Sequence, residues 1–342
     1  MSGAAAQLGA AKGSIAYLGN SVTRQGDGYR PQLHRLLMQR FGHEHRAINA
    51  GFGGVGSVAS VCTMDDMVIR YRPQLCFIET LTGDMGVGPH PDIGAALEGM
   101  LLKLAAIGAS PCFLHLPRQS ADFSTANPIL QVHRAVADRY RCPVVDLAER
   151  LSGETGDFFR DGIHTTPEGG LKTANLIAET LEPMFERREA GSKVPRLHAA
   201  DYARARFVEP AASDLREPAA GRAGRFRLRY PYIEFGPDNA LRFQSSNLAV
   251  VGLFLVIGPH SGSVRINDHV YPLHDRWCSY ERIHALILPQ AIDAATRIEI
   301  APLRAEGDPP RPLLKLIGPL TRPVTPPSGH RSEPAVALAA HV

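Results

Sequence analysis

Ile15-Ala16-Tyr17-Leu18-Gly19-Asn20-Ser21-Val22-Thr23 decides the fold. Four apolar residues run into Gly-Asn-Ser, and a helix-like segment follows. This is the pattern of a buried strand emptying into a tight turn with a hydroxyl at its tip. Open α/β sheets bind ligands at the carboxyl ends of their strands, so the turn presents Ser21 where a substrate can reach it. Gly-x-Ser alone better suits a polar turn that caps a helix. A second stretch, Asp161-Gly162-Ile163-His164, adds an acid and a base to the hydroxyl, which are the parts of a nucleophilic triad.

Working outward from Ser21, strands and helices alternate. Pro31 opens a helix with Leu33, Leu36, Leu37 and Phe41 on one face. The short strand Ala47-Ile48-Asn49 leads into Gly51-Phe52-Gly53-Gly54-Val55-Gly56-Ser57. A helix carrying Val58, Val61, Met64 and Val68 stops before Pro73. Leu75-Cys76-Phe77-Ile78 is the next strand, ending in Glu79-Thr80-Leu81-Thr82-Gly83-Asp84. Ile93, Leu97, Leu101 and Leu104 mark a helix closed by Gly108, followed by the strand Pro111 to Leu116. Asn127 and Pro128 start another helix, Pro143 to Leu147 is a fifth strand, and Thr166-Pro167 open a last helix facing inward with Leu171, Ala174, Ile177 and Leu181. Such alternation predicts a parallel sheet with helices on both faces.

The texture changes near residue 188. Arg188 to Lys193 reads as a linker, and from about residue 200 the helical period disappears. Phe226–Phe235, Leu248–Ile257, Ser263–Ile266, Ile283–Leu288 and Ile298–Ile300 read as strands between Gly, Pro, Asn and Asp turns, which predicts a β-sandwich of jelly-roll type. The expected organisation is a catalytic domain over 14–187, a linker over 188–199, a β-sandwich over 200–321 and a disordered tail over 322–342.

Composition bounds the function. The 342 residues suffice for two domains, and 44% hydrophobic with 21% charged residues fits a globular chain. A net charge of +3 gives no argument for nucleic acid. The five cysteines lack metal-type spacing, and Cys76 and Cys112 read as buried thiols. The start MSGAAAQLGAAKGS lacks the pattern of a secretory signal, and no apolar run is long enough to cross a bilayer, so the expected compartment is the cytoplasm, with no membrane partner.

The two blocks define a chemistry. Two residues separate Asp161 from His164, so a turn brings the carboxylate to one imidazole nitrogen and leaves the other free to face Ser21. Aspartate fixes the tautomer, histidine takes the serine proton, and the alkoxide attacks a carbonyl. The developing oxyanion needs donors. The Ser21 N–H is one candidate and Gly54, where a side chain would keep substrate off the backbone, is another. The turn Thr82-Gly83-Asp84 is the third.

Four blocks in order carry a family resemblance: Gly19-Asn20-Ser21-Val22-Thr23, Asn49-Ala50-Gly51-Phe52-Gly53-Gly54, Arg72-Pro73-Gln74-Leu75-Cys76-Phe77-Ile78-Glu79 running into Gly83-Asp84, and Asp161-Gly162-Ile163-His164. Over about residues 14 to 187 the chain resembles the SGNH hydrolases, the GDSL-type esterase and lipase superfamily. The resemblance implies a flavodoxin-like three-layer α/β/α fold, a triad of Ser21, Asp161 and His164, and no metal or organic cofactor. Asn20 stands where the family has aspartate. Gly83 stands where the family has the asparagine whose amide donates to the oxyanion.

The expected function is a serine esterase that removes a short acyl group, O-acetyl above all, from a small-molecule or glycan ester. The alternatives are an O-acyltransferase and a catalytically impaired glycan-binding module. Thr82, Asp84, His115 and Arg118 are candidates for lining the substrate site, with Arg118 suited to an anionic substrate. His43, Glu44 and His45 read as surface residues at a helix end, and Tyr17 as core. Eight arginines between Arg196 and Arg229 read as a solvated strand face, and Trp277, Tyr271 and Tyr280 as core or as a sugar-stacking platform.

Overall fold

The computed structural model describes residues 13–41, 45–119, 121–124, 126–151, 153–154, 156–186, 196–209, 219–225, 228–259, 261–273, 279–293, 295, 297–305, 308–309 and 312–324. The chain divides into two compact units, the first running to Arg204 and the second spanning Ala205–Val324.

The first unit is built on five parallel strands: β1 (Ser14–Gly19), β2 (Arg46–Gly51), β3 (Leu75–Glu79), β4 (Ser110–His115) and β5 (Val144–Asp146). Their order is β2-β1-β3-β4-β5, the flavodoxin-like winding. The strands read as apolar runs because both faces are covered: Ile15, Ala16, Tyr17 and Leu18 are all buried. Among the described residues eight α-helices fill the connections: α1 (Ser21–Arg24), α2 (Tyr29–Phe41), α3 (Ser57–Met67), α4 (Leu81–Val87), α5 (Ile93–Ala106), α6 (Pro128–Arg139), α7 (Ala148–Leu151) and α8 (Pro167–Glu186). Tyr29, Leu33 and Leu37 of α2 join Ala174, Ile177 and Leu181 of α8 over Ile15, Tyr17, Phe77 and Leu114 on one face. Helices α3, α5 and α6 pack together against the other. Tyr17 is core, with its hydroxyl against His34 Nδ1 (3.1 Å). Asn127 caps α6 by accepting from the Ile129 and Leu130 amides, with Pro128 in the first turn.

Leu171, expected on the inner face of α8, does not belong to it. Leu171 is 39% exposed: α8 buries its Ala174, Ile177 and Leu181 stripe, and Leu171 falls off that stripe. Residues 196–204, read from composition as linker and first β residues, pack on the first unit. Buried Glu98 of α5 accepts from the Leu197 amide (2.6 Å), the His198 amide (3.1 Å) and the Tyr140 hydroxyl. Tyr202 is buried against Gly99, where any Cβ would stand 2.6 Å from its backbone, and its hydroxyl donates to Asp92 (2.7 Å).

The second unit is antiparallel. One sheet has the order β13 (Arg282–Asp293), β10 (Leu248–Ile257), β15 (Leu314–Pro323), β8 (Leu228–Phe235) and β7 (Ala219–Arg225), with β6 (Arg206–Phe207) on β15. The other is β12 (His269–Pro272), β11 (Ser263–Ile266), β14 (Ile298–Leu303) and β9 (Leu241–Phe243). Val250, Leu253 and Leu255 from the first and Val264, Ile266, Ile298 and Ile300 from the second share one core, so the sheets form a sandwich. The expected disordered tail begins inside β15, which pairs with β10 as far as Pro323, and residues 325–342 lie outside the described residues. In the arginine-rich stretch, Arg196 and Arg204 pair with Asp201. Tyr271 packs against the sandwich core, Tyr280 is 56% exposed, and Trp277 lies outside the described residues.

Candidate active site

The winding order sets where a ligand enters. From β1 the chain crosses to β2 on one side, and β3 continues on the other, so the crevice opens between the carboxyl ends of β1 and β3. Ser21 follows β1 and α4 follows β3. Ser21 is the first residue of α1, half-buried, and its N–H belongs to the helix-opening amides that have no acceptor within the helix. Asn20 caps α1 by accepting from the Val22 amide (2.9 Å).

Asp161 and His164 sit on the loop before α8. His164 Nδ1 donates to Asp161 Oδ2 (2.8 Å), while Asp161 Oδ1 accepts from the Ile163 and His164 amides (3.1 and 2.8 Å). Burial raises the Asp161 pKa, but these hydrogen bonds outweigh it and hold the carboxyl below the usual range. The loop is tied to the residues after Ser21. Gln25 Nε2 donates to the Thr165 carbonyl (2.6 Å), and Arg160 pairs with Asp27. The glycine turn closes on the same point. The Phe52 amide donates to the Gly19 carbonyl (2.7 Å), and a Cβ on Gly53 would lie 3.7 Å from Ser21 Cβ. Gly54 has φ 74°, a conformation that favours glycine.

Residues 13–170 match the GDSL-like Lipase/Acylhydrolase family. Residues 13–170 form a GDSL-like lipase/acylhydrolase domain. Two solved structures have the fold of both units: a two-domain esterase (CEX) active on acetylated mannans, 13% identical over 93% of each chain with TM-score 0.67, and the same esterase co-crystallised with mannopentaose, 14% identical over 95% of this chain and 94% of that one with TM-score 0.66. No curated protein sequence matches the chain.

Within the hydrolase domain, Gly83 leaves no space for the asparagine the family carries. It lies inside α4, and a Cβ there would collide with the Val55 carbonyl oxygen and stand 3.2 Å from Asn20 Nδ2. Thr82 and Asp84 are buried and their polar atoms are engaged, so neither lines open space. The Thr82 hydroxyl donates to Glu79 Oε1 (2.5 Å) and accepts from Asn20 Nδ2. Asp84 Oδ1 accepts from the Ser57 amide (2.8 Å), and Oδ2 accepts from the Ser57 hydroxyl (2.5 Å) and His133 Nε2 (2.8 Å). Asp84 thereby pins the start of α3, and with it the glycine turn, to α4. His115 is fully buried between Phe113 and His133 instead of lining a cleft, its Nδ1 3.5 Å from Asp146 Oδ2, and desolvation holds its pKa below the ordinary histidine value. Arg118 is half-buried beyond β4 and stays close to the Asp161–His164 loop, because the next amide, Gln119 N–H, donates to the Gly162 carbonyl (2.8 Å).

Sequence reasoning passed over Glu79. It is fully buried beneath the Ser21 turn, and its Oε2 accepts from the Thr23 hydroxyl (3.0 Å), which meets Tyr29 Oη (2.8 Å). Desolvation pushes its pKa up to about 7 against the opposing hydrogen bonds from Thr82 and Thr23. A charged residue closing an all-apolar strand was the available signal. Ser57 and His133 had none beyond their places on helices. Of the surface histidines expected near residue 44, His43 and Glu44 lie outside the described residues, and His45 is buried, with Nδ1 accepting from the Gly13 amide (3.3 Å). Among the described residues no cluster of three or more His, Cys, Asp or Glu side chains could hold a metal ion, and no helix is long and apolar enough to cross a membrane.

Proposed function

We propose that the chain is a serine esterase that removes a short acyl group, O-acetyl above all, from a carbohydrate-like ester. Ser21 is the nucleophile, His164 the general base and then acid, and Asp161 its orienter. The Ser21 and Gly54 amides hold the oxyanion. With no asparagine at position 83, a backbone N–H at Gly83 is the remaining candidate for the third donor. The observation that carries this reading is the Asp161–His164 pair on a loop bonded to the residues after Ser21. The carbohydrate part is supported by the shared fold with an esterase active on acetylated mannans.

A serine-reactive fluorophosphonate tests the reading. It should label the wild type and spare Ser21→Ala, and turnover of a small acetyl ester should vanish in His164→Ala. Equal labelling of wild type and Ser21→Ala would sink the triad. The replacement of the family asparagine by Gly83 supports a second reading, a glycan-binding module with an impaired site. That reading wins if neither wild type nor His164→Ala turns over an ester while a glycan still binds. An O-acyltransferase keeps the same nucleophile, and product analysis with and without a sugar acceptor separates it from a hydrolase.

A further inference from the structure

Four guanidinium groups belong to the elements around the Ser21–His164 region: Arg24, Arg30, Arg118 and Arg160. Arg160 is neutralised by Asp27, and Arg30 Nε donates to the Thr23 carbonyl (3.0 Å). The side chains of Arg24 and Arg118 have no hydrogen-bond or ion-pair partner among the described residues. Arg24 ends α1, and a Cβ on Gly53 would meet both its Nη1 (3.6 Å) and Ser21 Cβ (3.7 Å), so this cation and the nucleophile flank the same bare glycine. Arg118 lies over Gly86, where a Cβ would stand 2.7 Å from its Nη1. Gly86 is one turn beyond Gly83 on α4, and Gln119 is bonded to the triad loop. One unpaired cation therefore stands beside the nucleophile, and another between α4 and the loop of His164.

The acids of the same region are already engaged. Asp27 is held by Arg160, Asp84 by Ser57 and His133, and Asp161 by His164. A half-buried guanidinium gives up hydration, and no partner among the described residues replaces it at Arg118. The charge left over is positive, and it is presented as two rigid forks that fit an oxyanion.

We propose that Arg24 and Arg118 form a binding site for an anionic group carried by the substrate next to its acyl ester, so that esters of acidic sugars are favoured over neutral ones. This rests on the esterase reading above. A uronate carboxylate and a sugar phosphate share the required chemistry.

The test compares kcat/KM for three esters: an O-acetylated methyl glucuronoside, an O-acetylated glucose 6-phosphate and a neutral O-acetylated methyl glucoside. The wild type should prefer at least one anionic ester by about tenfold or more, and which one identifies the source of the charge. That preference should fall by roughly tenfold in R24Q and again in R118Q, and R118K should keep part of it. Equal kcat/KM for all three esters in the wild type overturns the proposal, and so does a preference that survives both glutamine variants. If the wild type hydrolyses none of the three, the esterase reading falls, and calorimetric titration decides the anion site separately. Glucuronate or glucose 6-phosphate should then bind the wild type and bind R24Q/R118Q at least tenfold more weakly. No binding to the wild type, or equal binding to both, overturns it.

Discussion

Replacing Glu79 by glutamine should change how stability depends on pH. Glu79 is 0% exposed, and burial lifts its pKa from 4.5 to about 7. Between those values the unfolded chain releases the proton and the folded chain keeps it, so the folded state binds more protons and stability falls as pH rises. Each unit of that interval is worth roughly 1.4 kcal/mol, so the wild type should lose on the order of 3 kcal/mol between pH 4.5 and 8 from this one group. Glutamine keeps the shape. Its carbonyl oxygen can accept from Thr82, and its amide can donate to the Thr23 hydroxyl, which then donates to Tyr29. Urea unfolding of wild type and E79Q at half-unit steps across this range reads the difference. The wild-type curve should slope down by about 3 kcal/mol relative to E79Q. Parallel curves for the two proteins would refute a raised Glu79 pKa beneath the Ser21 turn.

Three further outcomes are expected. Asp84→Ala removes the acceptor for the Ser57 amide and His133, while the Ser57 hydroxyl keeps Thr80 (2.8 Å), and at about 1–3 kcal/mol for each buried donor left unpaired it should cost roughly 2–6 kcal/mol by thermal or denaturant unfolding. Gly83→Asn, which restores the family residue in sequence, should destabilise by about 1–3 kcal/mol without raising kcat on a small acetyl ester, because its Cβ meets the Val55 carbonyl. Asp161→Asn should lower kcat by ~10² to ~10⁴ and change unfolding free energy by under about 1 kcal/mol, since its side chain is 56% exposed.

Much of the first unit was legible because a parallel sheet covered on both faces writes its strands as uninterrupted apolar runs, as at Ile15–Leu18 and Leu75–Ile78. The second unit was read in part. Ala219–Arg225 alternates Ala and Gly with Arg and offers no apolar stripe, yet it pairs along its length with β8. Leu314–Pro323 contains Pro319, which argues against a strand, yet it pairs with Leu253 in a short run bounded by two register shifts of β10 against β15. At the site, the Asp161–His164 pair was visible because it is local in sequence. The supports were not. Glu79 meets Thr23 across 56 positions and Asp84 meets His133 across 49, distances that only packing closes. His115 looked accessible at a strand end and is buried because α6 brings His133 against it.

Glu98 has a practical consequence for where this protein can be cut. A chain shortened near residue 188, where composition alone suggests a domain end, would lose both amides that donate to the buried Glu98 side chain and would bare the bed of Tyr202 along α5. Each lost hydrogen bond is worth about 1 kcal/mol, and uncovering the apolar bed adds to that cost. An excised hydrolase half should keep its stability only if it is carried through to Arg204, some thirty-four residues past the end of the family match.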